Sequence, residues 1–186
     1  MSYTYTYLLP LNPEPKQAEY INLVTDFLLR KKIVCELEDE FGQKGFFGIG
    51  DSAREPFKAR EDWEPGFDSC VIFIYPHTTI VPEDPTPVEP HCPDCLADVS
   101  EPLYKLYFPD EETQVEQIDF GGAKVTCPEC QGIFRPDELR DERGKGIFLT
   151  DRYVCLQDAG DFRPEWLAEF SAAVGTPHRV VTYWYT

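Results

Sequence analysis

The sequence has few basic residues and no long apolar run, and each shortage excludes a class of function. Lys and Arg number 17 against 34 Asp and Glu, which gives a net charge of −17. Nucleic acids and acidic membrane surfaces are polyanions that proteins bind through neutralising basic side chains. The charge therefore argues against direct binding to either. The longest apolar runs, such as Cys70–Tyr75, are far too short to cross a membrane.

A secretion signal is also missing from the sequence. The segment Met1–Tyr7 has no basic region followed by an apolar stretch, so we expect a cytoplasmic protein. In that compartment the seven cysteines do not indicate a disulfide framework, and an odd number cannot all pair within one chain.

Catalytic signatures are absent as well. The glycines of Gly42–Gly50 match neither a dinucleotide fingerprint nor a phosphate loop, and we predict a turn-rich loop there. Gly48–Ser52 has no esterase pattern. Three cysteines lie in apolar strand patterns, where a buried structural thiol is the default: Cys35, Cys70 and Cys155. The three histidines are His77, His91 and His178. We assign no catalytic residue, although a cysteine–histidine or serine–histidine dyad stays open.

The composition is that of a globular protein, and both ends of the chain have the pattern of strands. Tyr3–Tyr7 alternates tyrosine with threonine, the period of a half-buried strand, and Val180–Tyr185 is rich in β-branched and aromatic residues. We expect these two strands in one sheet, side by side. Further strands are predicted at Ile33–Glu38, Cys70–Tyr75 and Ile147–Leu156.

Two helices are predicted between the strands. The first runs from about Glu14 to Lys31, with Asn12 as its cap and an apolar stripe. The second runs from Pro164 to Val174, and Gly175 is placed where a left-handed C-cap residue belongs. The stripe of the first helix comprises Tyr20, Leu23, Val24, Phe27 and Leu28.

An acidic, proline-rich segment divides the chain. From Val81 to Phe120 there are 11 acidic residues and one basic residue, Lys105. Prolines between Pro76 and Pro90 favour an extended backbone. We therefore predict an α+β core domain in residues 1–75 and 146–186, with an antiparallel or mixed sheet and two main helices. Residues 76–145 are predicted to form an inserted acidic module.

Two copies of Cys-Pro-x-Cys lie within that module. Cys92 and Cys95 form the first pair, and Cys127 and Cys130 form the second, after a gap of 31 residues. Two residues between cysteines let a tight turn aim both thiolates at one ion, and two such turns supply the four soft ligands of a structural zinc site. The spacing predicts one structural zinc ion. Four thiolates leave no position for water, so the ion would hold structure.

This arrangement resembles the zinc-ribbon class over residues 91 to 135. The resemblance implies two knuckles joined by an extended loop or hairpin. Leu96 and Ala97 follow the first cysteine pair, where a glycine is common. A thiol–disulfide centre resembling the glutaredoxin motif is the alternative, but that chemistry needs a strand before the motif and a helix starting at it. His91 is expected beside the site or in solvent.

These observations predict a zinc-stabilised, acidic protein-binding module, such as an inhibitor or immunity-type protein that masks a basic partner. Charge and the missing catalytic signature motivate that prediction. Two alternatives stay open. One is a small hydrolase or thiol-redox enzyme that uses Cys70, Cys155 or a histidine in a pocket beside the sheet. The other is a scaffold subunit of a complex. The sequence does not indicate an oligomeric state.

Overall fold

The fold was analysed in a computed structural model, which describes residues 3–36, 46–59, 66–82, 89–107 and 119–185. Its strands and helices, in chain order, are β1 (Tyr3–Pro10), α1 (Gln17–Arg30), β2 (Val34–Glu36), β3 (Phe46–Ile49), β4 (Ser69–Pro82), α2 (Ser100–Tyr107), β5 (Val125–Thr126), β6 (Ile133–Phe134), β7 (Ile147–Gln157), α3 (Pro164–Val174) and β8 (His178–Tyr185). Three helices and a mostly antiparallel sheet confirm the α+β class.

Six strands form the main sheet in the order β2-β3-β4-β7-β1-β8. The predicted pairing of the two terminal strands is confirmed, because β1 and β8 run antiparallel with Tyr5 opposite Tyr183. β1 also pairs with β7, with Tyr7 opposite Cys155. Two short strands, β5 and β6, form a separate hairpin. None of the described helices is long and apolar enough to span a membrane.

The chain divides into two compact units. The first comprises Met1–Ile74 and Arg152–Thr186, and the second comprises Tyr75–Asp151. The first unit has its own core, in which aromatic side chains of α1 and α3 stack. Phe27 packs edge-on against Trp166 at 5.7 Å between ring centroids, and Trp166 stacks on Phe170 at 5.3 Å. Burial of such large rings stabilises this unit.

The predicted α1 stripe is confirmed in its buried members, but the predicted start of the helix is wrong. Tyr20, Val24, Phe27 and Leu28 are buried. The helix begins at Gln17 after Lys16, whose side chain makes no capping hydrogen bond, so Asn12 is not the cap. The physical reason is that a residue before proline is driven to extended backbone. Pro13 and Pro15 therefore keep the chain out of the helix until both have passed.

The second helix is confirmed from Pro164 to Val174, and Gly175 adopts the left-handed conformation at φ 81°. The strands predicted at 70–75 and 147–156 are present with longer extents, as β4 and β7, and the strand predicted at 33–38 is present as β2, with residues 37 and 38 outside the described residues.

The predicted loop at Gly42–Gly50 is wrong where the structure describes it. Phe46–Ile49 forms β3 between β2 and β4, because pairing on both sides outweighs the turn tendency of Gly48. Position 50, directly after β3, requires glycine, because a Cβ there would overlap the backbone carbonyl of Lys32. Residues 42–45 lie outside the described residues.

No helix is predicted from the sequence in the second unit, but the structure contains one there. α2 covers Ser100–Tyr107, and its first turn is fixed by Asp98, whose carboxylate accepts a hydrogen bond from the Ser100 N–H at 2.7 Å. Apolar side chains of this helix and of the surrounding strands form a second core. That core contains Ile80, Cys92, Val99, Leu103, Phe120, Val125, Cys127, Leu139 and Ile147.

Candidate metal centre

The two Cys-Pro-x-Cys segments fold into the same turn. In the first, the Cys92 N–H donates to the Ala97 carbonyl at 2.8 Å, and the Leu96 N–H donates to the Cys92 carbonyl at 2.9 Å. In the second, the Cys127 N–H donates to the Gly132 carbonyl at 2.9 Å, and the Gln131 N–H donates to the Cys127 carbonyl at 3.1 Å. We call these turns, residues 92–97 and 127–132, the first and second knuckle.

Short antiparallel pairs hold the open end of each knuckle. Val125 and Thr126 of β5 pair with Phe134 and Ile133 of β6 around the second knuckle. Around the first, His91 forms an antiparallel bridge with Asp98. Antiparallel pairs therefore close both knuckles. The gap between the cysteine pairs was expected to be an extended loop or hairpin, but where the structure describes it the gap contains the helix α2.

The sulfur atoms of the four cysteines in the two knuckles form one compact cluster. Cys92, Cys95, Cys127 and Cys130 place their Sγ atoms within 4.8 Å of one another. The shortest separations join the knuckles, at 3.6 Å between Cys92 and Cys130 and 3.6 Å between Cys95 and Cys127. A tetrahedral Zn²⁺ with bonds of about 2.3 Å needs sulfurs about 3.8 Å apart. The cluster has the size of a metal site, and all seven cysteines are free thiols.

Burial differs between the two cysteines of each knuckle. Cys92 and Cys127 are buried within the second core, whereas Cys95 and Cys130 are exposed. The first cysteine of each knuckle would thus connect a bound ion to the hydrophobic core, and the second would close the site on its outer side.

Backbone N–H groups donate hydrogen bonds to sulfurs of this cluster, which favours the thiolate form of those cysteines. Hydrogen bonds from the backbone of Cys130 and Glu129 lower the pKa of Cys127 to about 7. For Cys130 the Gly132 N–H acts in the same sense, but desolvation and the neighbouring thiols outweigh it and raise the pKa to about 12. Four thiolates this close repel one another, so full deprotonation needs a cation between them.

His91 is not part of the ligand cluster among the residues that the structure describes. Its backbone N–H donates to the Arg140 carbonyl at 2.8 Å, and its side chain is half-buried.

The thiols outside the cluster do not resemble nucleophiles. Cys70 and Cys155 are buried, and burial raises the pKa of both, that of Cys155 to about 12. A reactive cysteine needs the opposite shift. Cys35, predicted to be buried, is exposed instead, because β2 lies at the edge of the sheet, and its Sγ contacts the Ile49 carbonyl at 3.4 Å.

Sequence reasoning missed a buried polar cluster around His178. Its Nε2 lies 3.2 Å from the Tyr20 hydroxyl, and its Nδ1 lies 3.2 Å from the Ser171 hydroxyl. Burial lowers the pKa of His178 to about 4, and the nearby Arg152 guanidinium acts in the same direction. Both ring nitrogens are used to join α1, α3 and β8. Tyr20 and His178 are 158 residues apart, so no local sequence pattern could reveal the pair.

The acidic segment is only partly described. Of its 11 acidic residues, the structure describes Glu89, Asp94, Asp98, Glu101 and Asp119, all of them exposed. Some of these have local structural roles. Glu101 pairs with Lys105 at 2.8 Å, and Asp119 accepts hydrogen bonds from the Thr78 and Gly121 N–H groups. The other six acidic residues lie outside the described residues.

Comparison of the chain with protein-family models, with curated proteins and with solved structures found no match.

Proposed function

We propose that this chain is a protein-binding protein in which one zinc ion, held by Cys92, Cys95, Cys127 and Cys130, shapes a contact surface for a basic partner protein. The observation that carries the proposal is the meeting of four sulfurs within 4.8 Å at the tips of two matching turns. A closed four-thiolate site holds structure and offers no open position for catalysis.

Zinc is favoured by the chemistry of the ligands. Thiolates are soft donors, and a tetrahedral set of four selects zinc or iron among the common metals. A redox-inactive ion fits a site whose outer sulfurs, Cys95 and Cys130, face solvent. The two buried cysteines belong to the second core, so metal binding and packing of that unit support each other.

The proposed contact surface lies at the knuckles themselves. Leu96, within the first knuckle, is 75% exposed, and Ile133, directly after the second knuckle, is 62% exposed, so both offer apolar surface to a partner. Acidic residues lie beside them: Asp94 and Glu129 are both exposed, and the Asp94 carboxylate lies 3.3 Å from the Cβ position of Gly132. We call Asp94, Leu96, Glu129 and Ile133 the knuckle surface.

A basic partner is favoured by charge. The second unit, residues 75–151, contains 17 acidic and 6 basic residues, a net charge of −11. The exposed side chains of Leu96 and Ile133 belong to this negatively charged unit. They suit a partner whose contact surface has Lys or Arg around an apolar patch.

The metal is tested first. The reduced, folded protein should contain one zinc per chain by elemental analysis. Its cobalt derivative should show the intense visible bands of tetrahedral thiolate coordination. A folded protein without metal, or one that holds iron, would contradict the zinc assignment.

Partner binding is tested with surface variants that leave the cysteines intact. Wild type and a Leu96→Glu/Ile133→Glu variant are used to capture proteins from native lysate. Leu11→Glu is the matched control, since Leu11 is 51% exposed but lies in the first unit. We expect a basic protein to be retained by wild type and control, lost from the double variant, and released by salt. Identical captures from all three proteins would reject the knuckle surface.

A further inference from the structure

The register of β8 against β1 determines which backbone N–H and C=O groups of β8 point away from the sheet. The Leu11 N–H donates to the Pro177 carbonyl at 2.9 Å, which fixes this as a hydrogen-bonded pair in the β1–β8 register. Hydrogen-bonded and non-hydrogen-bonded pairs alternate along an antiparallel ladder. The odd-numbered residues of β8 therefore bond to β1, and the even-numbered residues point their N–H and C=O groups away from it.

Two further observations agree with this assignment. The Asp158 N–H donates to the Thr4 carbonyl at 2.7 Å, so the even-numbered residues of β1 bond to β7, on the side away from β8. The hydroxyls of Thr6 and Thr182 lie 3.1 Å apart, as side chains do in the closer, non-hydrogen-bonded pairs. The outward backbone groups of β8 thus include those of Val180 and Thr182. No strand in the described part of the chain pairs with them.

The two edges of the sheet are protected very differently. In the described part of the chain β2 comprises three residues, Val34–Glu36, and one of them is charged. β8 has eight residues, and Arg179 is its only charged one. Natural sheets blunt exposed edges with short strands, charges, prolines or bulges. β8 has no proline, and its pairing with β1 is continuous from Tyr185 to His178.

We propose that β8 pairs with β8 of a second copy of this chain, in an antiparallel two-fold arrangement centred on Thr182. The charge distribution favours a second copy: no Asp or Glu occurs between Phe170 and Tyr185, although the chain as a whole has a net charge of −17. In this register Val180 faces position 184 of the second copy, and Arg179 faces position 185. No like charges are placed opposite each other. Such an interface is isologous and closes at two copies.

Sedimentation velocity at increasing protein concentration tests the proposal. We expect a species of twice 21.4 kDa that dissociates on dilution. Raising the salt concentration should strengthen it, because salt screens the repulsion between two acidic copies. That response is opposite to the one expected for the basic partner, so the two proposals fail separately. A monomer at all concentrations, or an assembly larger than a dimer, would overturn this one.

Proline variants locate the interface. Thr182→Pro removes an outward N–H and leaves the hydrogen bonds of β8 to β1 in place, so it should abolish the dimer. The matched control is Glu36→Pro. The Gly50 N–H donates to the Ile33 carbonyl, so the even-numbered residues of β2 point outward at the opposite edge. This variant should still dimerise. A dimer that survives Thr182→Pro would overturn the proposal.

Hydrogen exchange of the wild-type protein gives an answer even if Thr182→Pro fails to fold. The amides of Val180 and Thr182 should gain protection as protein concentration rises, while those of Val181 and Tyr183, which bond to β1, should be protected throughout. Unchanged exchange at Val180 and Thr182 across the concentrations that produce a dimer would place the interface elsewhere and reject β8.

Discussion

Leu96 and Gln131 occupy the same position in the two knuckles and share the same backbone angle, φ 62°. This is the left-handed region, which glycine adopts freely and other residues adopt at a cost. Each residue donates its N–H to the carbonyl of the first cysteine in its knuckle, Cys92 or Cys127. Both knuckles therefore adopt this turn without a glycine at the position of positive φ. The turn that brings the two cysteines of each knuckle together thus includes one residue with a strained backbone angle.

Replacing Leu96 by glycine should relieve that strain. Because the Leu96 side chain is 75% exposed, its removal loses little packing. We expect Leu96→Gly to leave the stability of the metal-bound protein unchanged or raise it by up to about 1 kcal/mol. Chemical unfolding of the zinc-bound form measures this. Leu96→Ala is the control, since it removes the side chain but retains the strained angle, and it should give no gain. A glycine variant less stable than the alanine variant would contradict the prediction.

The candidate site was predictable because its signal is local. Two residues between cysteines suit a tight turn that aims both thiolates at one ion, and the presence of two such pairs allowed the four cysteines to be grouped from their spacing. Leu96 was the uncertain position, because propensity disfavours leucine at positive φ. The chain adopts that angle there because the hydrogen bonds of the knuckle and the packing of Cys92 in the core outweigh the strain.

The parts that could not be predicted depend on distant residues. β3 exists because β2 and β4 pair with it on either side, and His178 is buried because Tyr20 and Ser171 reach it from two helices. Neither fact leaves a periodic pattern in the sequence. The terminal strands were predictable since their alternating tyrosines and β-branched residues carry a strand signal without reference to any partner.

Gly132 should resist substitution more strongly than Gly122 of the same unit. A Cβ at Gly132 would lie 2.7 Å from the Phe134 ring, which must then move. We expect Gly132→Ala to destabilise the second knuckle by about 1–3 kcal/mol, as overpacking does. Gly122→Ala is the control, because nothing lies within 4 Å of its Cβ position. Competition with a chelator and chemical unfolding measure the effect. Equal behaviour of the two variants would show that Phe134 yields without cost.

Loss of the ion should disrupt the second unit first. Cys127 is buried among Val125, Leu139 and Ile147, so Cys127→Ser removes a ligand and leaves a polar group in the core. We expect zinc content to fall and the amides of β5 and α2 to lose protection from hydrogen exchange, while α1 and α3 stay protected. Chelation of the wild-type protein should give the same pattern.

Cys35→Ser serves as the control for that experiment. Cys35 is exposed and lies outside the four-cysteine cluster, so zinc content and exchange should not change. If Cys127→Ser instead abolishes all cooperative unfolding, the core of α1 and α3 depends on the metal as well, and the expected order of unfolding is wrong.

His178 should make the protein less stable as pH falls below neutrality. Its pKa is lowered from 6.5 to about 4 in the folded protein. Between these values the unfolded chain binds a proton that the folded chain does not, so stability falls as pH falls through this window and levels off below about pH 4. The shift corresponds to roughly 3 kcal/mol in total, of which about 2 kcal/mol should be lost between pH 7 and 5. Urea unfolding at pH 7, 6 and 5 measures the decline.

A comparison with His178→Gln isolates this histidine, because the other histidines and the cysteine ligands are the same in both proteins and ordinary carboxyl groups titrate below pH 5. His178→Gln keeps a polar group near Tyr20 and Ser171 but cannot take up the proton, so its stability should change less over the same range. If that variant does not fold, nuclear magnetic resonance titration of the wild-type ring decides, with a midpoint expected near 4. A midpoint near 6.5 would show that the ring is solvated, and the buried cluster would then contribute nothing to the pH dependence.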